Sequence, residues 1–365
     1  MESFKGSVFY YRVFDVGHEI DLQSTPQILE NNKMTSAFRL RRPSRSVIVE
    51  EAPVVINLGA RQYDLLGRQV EIFALAKLWH FGAISIQLKI PILEPVRATE
   101  FKTFARFIEN DPLLEKTARD AVSEIMHDLS SAIKSHSLWH QVEDYIIYVL
   151  DSDVIAGQDF STLLRSDSLY DLILTETNLT LSQQVKEHIR QSVVQYSTKD
   201  ICIIDWNSAL VCSDDEYEDV CDVLEFGLTQ LLELRYYDSL LDKKLSGLYK
   251  EIQDNRENIF RSNYAKFAKE SAFLYIEISD IIERIENSLK FIGDVYYARV
   301  YRLALERFRS KDWSLSIDTK LKNLAEISTL FKNDVNERRN QLLELIIIVL
   351  IAIEVIPFIG KSLFQ

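Results

Sequence analysis

After Pro112 the chain runs to Pro357 without another proline, and no other feature constrains its fold as much. Proline removes a backbone donor and breaks helix interiors, so so long a proline-free tract permits helices of many turns. From Glu218 onward the apolar spacing uses that freedom. Leu224, Leu228, Leu231, Leu234, Leu241, Leu245 and Leu248 recur at threes and fours, with one longer gap. Ile278, Ile281, Ile285, Leu289, Ile292 and Tyr296 predict a second helix, and Ile317, Leu321, Leu324, Ile327 and Phe331 open a third. Each would span about 50–70 Å at 1.5 Å per residue. Breaks are expected near Asp254-Asn255 and Ser310-Lys311-Asp312. Three long amphipathic helices imply an antiparallel bundle or stalk, and bundle core explains the stripes more simply than a cofactor box.

The first 212 residues read differently. "GSVFYYRVFDV" and "SVIVEEAPVVINL" are rich in β-branched and aromatic residues and predict strands. "GRQVEIFALAKLWHFGAISIQLKIPI" predicts a strand pair broken near His80-Phe81-Gly82. Asp111-Pro112 supplies an N-cap and a first-turn proline, starting a helix expected to reach about Ser135. "EDYIIYVL" reads as a buried strand, Ser182 to about Tyr196 as an amphipathic helix, and "DICIIDWNSALV" as one further strand. The expected class is α+β: a mixed α/β head (1–212), a long-helix bundle or stalk (213–341), one C-terminal transmembrane helix (342–361) and a short tail (362–365).

The span is expected from the last residues. Leu345, Ile346, Ile347, Ile348, Val349, Leu350, Ile351, Ala352 and Ile353 form an unbroken apolar run, followed by Glu354, Val355 and Ile356. A span needs about 20 predominantly apolar residues. Leu342 to Lys361 supplies the length, and a run apolar on every face does not suit a bundle-surface helix. The rival is a buried terminal or partner helix. Arg338 and Arg339 before the run and the single Lys361 after it set the topology, with the body in the cytosol at an inner (cytoplasmic) membrane. Glu354 would be protonated, paired with another helix or shifted to the interface. The spacing of Leu321, Leu324, Phe331, Val335, Leu342 and Leu345 is coiled-coil-like, interrupted by Ser328 and Arg338, and predicts a homo-oligomer.

Charge narrows the partners. With 42 basic against 55 acidic residues the net charge is −13, which argues against bulk electrostatic binding of nucleic acid. A local contact remains open at "RLRRPSR", where Arg39, Arg41, Arg42 and Arg45 could meet RNA phosphates or anionic lipid; exposed arginines around a turn at Pro43 are the simpler account. Cys202, Cys212 and Cys221 are odd in number and lack CxxC spacing, which fits a reducing compartment. The start "MESFKGSVFYYRVFDV" shows no secretory signal.

Chemical motifs are sparse. Glu124 and His127, then His136, His140 and Glu143, resemble a carboxylate-histidine ligand set, but only one such motif occurs where a di-iron site needs two, and surface or capping histidines explain them. No HExxH, P-loop, GxGxxG or GxSxG is present. Asp205, Trp206 and Asn207 suit a turn better than a polar site, and "SDDEYED" suits a solvated loop leading into a helix N-terminus. No catalytic residue, cofactor or metal is assigned.

In the helical half, "DVLEFGLTQLLELRYYDSLLDKKL", "GDVYYARVYRLALERF", "DWSLSIDTKL" and "NDVNERRNQLLELIIIVLIAIEV" resemble the family of unknown function that includes the required-for-meiotic-nuclear-division and bacterial YagE-like proteins. The likeness spans about Asp205 to Val355, with looser echoes in "FGAISI" and "EDYIIYVL". It implies a membrane-anchored protein with a C-terminal span; mitochondrial members are associated with the inner membrane and with organellar translation. No mitochondrial presequence is evident here, so the bacterial setting is the one implied. The family has no established catalytic residues to carry over. The expectation is a non-enzymatic, membrane-anchored scaffold or tether. Its rivals are a CorA-like transport protein, for which the Gly-Met-Asn triplet is missing, and an enzyme with an unrecognised site in the head.

Overall fold

The computed structural model describes residues 3–29, 35–37, 52–151, 167–174, 181–197, 200–213, 217–255, 264–287 and 295–363. Arg39, Arg41, Arg42 and Arg45 lie outside them, as do Leu289 and Ile292. The described chain divides into two compact units.

The first unit holds residues 1–236 and 285–313. Its centre is a mixed α/β arrangement around a sheet of nine strands among the described residues, in the order β3-β4-β5-β6-β1-β8-β11-β10-β9. These are β1 (Ser3–Asp15), β3 (Thr35–Ala37), β4 (Val54–Leu65), β5 (Arg68–Leu78), β6 (Ala83–Arg97), β8 (Val142–Leu150), β9 (Val193–Val194), β10 (Ile201–Ile204) and β11 (Ser208–Cys212). Two-residue strands β2 (Glu19–Ile20) and β7 (Ile133–Lys134) pair separately. Only β8 and β11 run parallel; the other ladders of the large sheet are antiparallel.

Strand alternation sends Val8, Tyr10 and Phe14 to one face and Phe9, Tyr11 and Val13 to the other, and both faces are buried. The first face is covered by α2 (Ala98–Glu109), α3 (Pro112–Asp128), α4 (Asp167–Ile173) and α5 (Gln183–Arg190); the short α1 (Thr25–Leu29) adds Leu29. The second face is covered by the first half of α6 (Tyr217–Asn255) and by α8 (Val295–Arg307). The expected caps are present: the Asp111 side chain accepts from Leu113 N at 2.8 Å and Ser182 accepts from Val185 N at 3.3 Å. Both helices are shorter than their periodicity suggested, because β7 and β9 follow directly. "DICIIDWNSALV" is not one strand but the hairpin β10–β11, turning at Asp205-Trp206-Asn207.

The β5–β6 connection turns at Trp79 to Gly82, with Gly82 N donating to Trp79 O at 3.1 Å. Gly82 has φ +99°, and a Cβ there would lie 1.8 Å from the Gly17 carbonyl oxygen. Gly82→Ala is therefore expected to cost on the order of 3 kcal/mol, from left-handed strain plus a forced backbone shift. Gly67→Ala is the control: φ is +86° but nothing lies within 4 Å of the added Cβ, so only the strain remains. Urea midpoints of the two variants measure the difference.

The second unit holds residues 237–284 and 314–365. It comprises the second half of α6, most of α7 (Tyr264–Asn287) and most of α9 (Ser310–Leu363). Leu241, Leu245, Ile278, Ile317, Leu324 and Phe331 are buried. Lys320 Nζ joins Asp238 and Asp242, each at 2.7 Å, and Ser328 Oγ donates to Ala268 O at 3.1 Å.

The expected membrane helix is corrected here. Among the described residues no helix is long and apolar enough to cross a membrane. Residues 342–361 continue the 54-residue α9. Its described apolar run, Leu345 to Ile353, rises only about 13 Å, against roughly 30 Å of hydrocarbon, and Glu344 and Arg339 precede it. The tail anchor, the single-pass inner-membrane placement and the topological roles of Arg338, Arg339 and Lys361 rested on that span and fall with it. The side chains of Arg338, of Glu354, Val355 and Ile356, and of Lys361 lie outside the described residues.

Candidate functional site

The second face of the sheet meets α6 along a polar seam. Lys77 of β5 is buried and extends to Asp222 Oδ1 and Glu225 Oε2 of α6, each at 2.6 Å. Ser85 of β6 donates to the other Glu225 oxygen, and Trp79 Nε1 donates to Ser85 Oγ at 3.3 Å. Gln87 donates to Tyr11 OH at 2.7 Å and Lys89 to Tyr217 OH at 3.3 Å. Burial disfavours the Lys77 charge, but the two carboxylates outweigh it and hold the ammonium well above its ordinary range. Burial likewise raises Glu225, with Lys77 opposing.

Further along α6, Arg235 pairs with Glu143 of β8 and donates to Gln141 Oε1 at 3.2 Å, with its guanidinium 5.7 Å from the Trp313 ring centroid. Burial pushes Glu143 up to about 7 despite that arginine. Next to this pair lie two buried carboxyls, Asp15 at the end of β1 and Glu233 of α6, exposed by 1% and 0%. Both Glu233 oxygens and Asp15 Oδ2 lack a hydrogen-bond partner. Trp139 N donates to Asp15 O at 3.0 Å, and the Tyr236 ring packs edge-on against Trp139 and His18, with centroids 5.5 and 6.3 Å apart.

The seam fastens α6 to the sheet, and the thiols beside it are not activated. Cys202, Cys212 and Cys221 are buried and form no disulfide, and burial raises the Cys202 and Cys221 thiols, with Asp200 and Asp222 adding to it. The histidine-carboxylate set is dispersed: Glu143 faces Arg235, and His136 Nε2 lies 3.2 Å from Met126 O. Among the described residues no group of three or more His, Cys, Asp or Glu is placed to hold a metal ion. Asp205 and Asn207 form the β10–β11 turn, where Tyr145 OH donates to Asp205 O at 2.9 Å. Sequence reasoning passed over Lys77, Glu225 and Glu233; the signal was a single charge inside an apolar run, "FALAKLW", "VLEFG" and "LLEL".

The other prominent surface is on α9. After Phe331 no described side chain of this helix is buried. Leu342, Leu343, Leu345 to Ile351 and Ile353 are each 45–64% exposed, on every side of the helix. Asn255 ends α6, and the pairing of Lys320 with Asp238 and Asp242 puts that end level with about residue 335 at equal rise. The extension therefore outruns its neighbour by seven or more turns, about 40 Å.

A family model describing the N-terminal domain of the uncharacterized protein MJ0711 matches residues 5–218. The chain belongs to this family. The match begins two residues into β1, takes in the other ten strands of the described residues and ends two residues into α6. Uncharacterized protein MJ0711 of Methanocaldococcus jannaschii is 25% identical over 240 residues, covering 65% of this chain and 72% of that protein. No solved structure matches.

Proposed function

We propose that this protein is a non-enzymatic scaffold that self-associates through the α9 extension. The exposed apolar run from Leu342 to Ile353 carries the reading, because contiguous apolar surface of this kind marks interaction sites. A second copy of the chain is the occupant. Positions on α9 spaced alternately four and three apart are buried within the chain at Ile317, Leu321, Leu324 and Phe331. The same register continues without a skip through Val335 and Arg338 to Leu342, Leu345, Val349 and Ala352. A seam that packs inside one unit and then outruns its partners has the spacing for a coiled coil with its own copy. Half-covering ten half-exposed residues on each of two chains is worth on the order of 10 kcal/mol gross. Lost freedom on association costs roughly 4–15 kcal/mol, so a pair falls in the range of a concentration-dependent assembly.

The Cys202 and Cys221 thiols, raised by burial, and the ion-paired carboxylates of the seam support binding rather than covalent chemistry as the working mode. We also read the helical half as akin to the required-for-meiotic-nuclear-division and YagE-like proteins. That reading rests on stretches such as Asp222 to Leu245 and Asn333 to Val355, which lie beyond the family match. Light scattering across micromolar concentrations is expected to give a mass that is a multiple of 42.4 kDa. A single-chain mass at every concentration would rule out the scaffold assembled through α9.

A further inference from the structure

We infer that the second copy binds the α9 extension antiparallel, each extension lying along the other's seam as α6 and α7 lie along the seam within one chain. The inference rests on the self-association proposed for α9 and specifies its geometry. Inside the second unit the seam side of α9 is already taken. Ile317, Leu321, Leu324 and Phe331 are buried on it. Ser328, at a seam position, donates to Ala268 O of α7, and Lys320, which flanks the seam, joins Asp238 and Asp242 of α6. The exposed seam beyond residue 335 is the same side of the same helix. Two copies laid parallel and in register would bring these sides together down to that level, where the α6 and α7 of both copies compete for one space. An antiparallel partner avoids the conflict. It meets the base of one extension with the far end of its own, where no described side chain packs on a neighbour.

The spacing agrees. The alternation of four and three runs on from Ala352 through Ile356 and Ile359 to Leu363, where the helix ends. With a two-fold axis between Leu350 and Ile351, Leu342 falls level with Ile359 of the second copy, Leu345 with Ile356, and Val349 with Ala352. The flanking positions match too: Ile346 with Ile353 and Ile348 with Val355. Glu344 and Glu354 fall outside these layers by position. Arg338 falls level with Leu363, at the end of the pairing; in a parallel pair it would sit level with its own copy, a like-charge layer on the seam. Residue 363 of the second copy thus stops just beyond the level of about residue 335 where α6 ends. Each chain carries a net charge of −13. The antiparallel pair holds the two bodies at opposite ends, farther apart than the roughly 8–10 Å over which salt leaves charges coupled.

The test uses the full-length chain, in which Cys202, Cys212 and Cys221 are buried. Chains carrying Leu342→Cys are mixed with chains carrying Ile359→Cys and oxidised. The mixture is expected to give roughly tenfold more disulfide-linked pair than either variant alone, because only level positions bring two Cβ atoms within bridging distance. A spin label on Leu330→Cys, a position 64% exposed, reads the same geometry away from the seam. Two such labels should lie about 60 Å apart in the antiparallel pair. Linkage of Leu342→Cys chains to one another, or a label separation near that of neighbouring helix axes, roughly 10 Å plus the labels' reach, would overturn the antiparallel geometry and leave the self-associated scaffold standing. A doubled scattering mass with neither the mixed linkage nor the long separation would also overturn it. A single-chain mass at every concentration would instead remove the self-association itself.

Discussion

Lys77→Met is expected to destabilise the first unit by about 3–5 kcal/mol, the usual cost of removing one partner from a buried ion pair. The methionine fills most of the lysine's volume, so the loss is electrostatic. It leaves Glu225, which is fully enclosed, with only the Ser85 hydroxyl. Asp222 is less affected, since its side chain retains 22% exposure and can be solvated. The companion variant Lys77→Met/Glu225→Leu should recover part of the loss, because the orphaned carboxyl goes with its partner. Tryptophan fluorescence in urea reads the unit directly: Trp79, Trp139, Trp206 and Trp313, the chain's 4 tryptophans, all lie in it. A loss below 1 kcal/mol for Lys77→Met, or no recovery in the double variant, would mean that Lys77 and Glu225 are not held as an ion pair.

Leu345→Glu/Val349→Glu is expected to abolish self-association while leaving the folded chain intact. Both positions lie on the continued seam and are exposed within one chain, by 60% and 48%. Carboxylates there cost only a few tenths of a kcal/mol, about 0.2–0.5, in the isolated protein, but pairing two copies would bury like charges against one another. The scattering mass should fall to 42.4 kDa at concentrations where the unmodified chain assembles. The urea midpoint of the first unit should not move. Leu343→Glu/Leu350→Glu, off the seam, is the matched control and should weaken assembly far less. Equal effects from both pairs would point to nonspecific apolar contact rather than a register.

Where the fold could be read from sequence, the signals were local. The β1 run, the His80-Phe81-Gly82 break between β5 and β6, and the Asp111-Pro112 helix start each carry their instruction within a few residues. What could not be read needed distant partners. The run from Asp200 to Val211 is apolar on both sides of Asp205-Trp206-Asn207 because both faces of the sheet are covered, so no alternation marks the turn. The leucine stripe of α6 looks uniform, yet Leu224 to Leu232 pack on the sheet while Leu241 and Leu245 belong to the second unit. The polar seam was invisible for the same reason: Lys77 and Glu225 are 148 residues apart, and each looks like an ordinary surface charge until the sheet and helix meet. The membrane reading of α9 took length and apolarity from residues on both sides of Glu344 and Glu354. The uninterrupted apolar run between them is only nine residues long.

The outermost strands of the sheet are β3, with three residues, and β9, with two. A row of unpaired amides and carbonyls along a sheet margin invites another chain to add a strand, and growth of that kind leads to fibres. Here the margins differ among the described residues: at one end β9 offers two residues of backbone, whereas at the other β3 pairs only with Val54 to Ile56, and no described strand lies along the outer side of β4 from Asn57 to Leu65. The β9 margin is thus blunted by its shortness, while strand addition, where it occurs, has the outer side of β4 as its template.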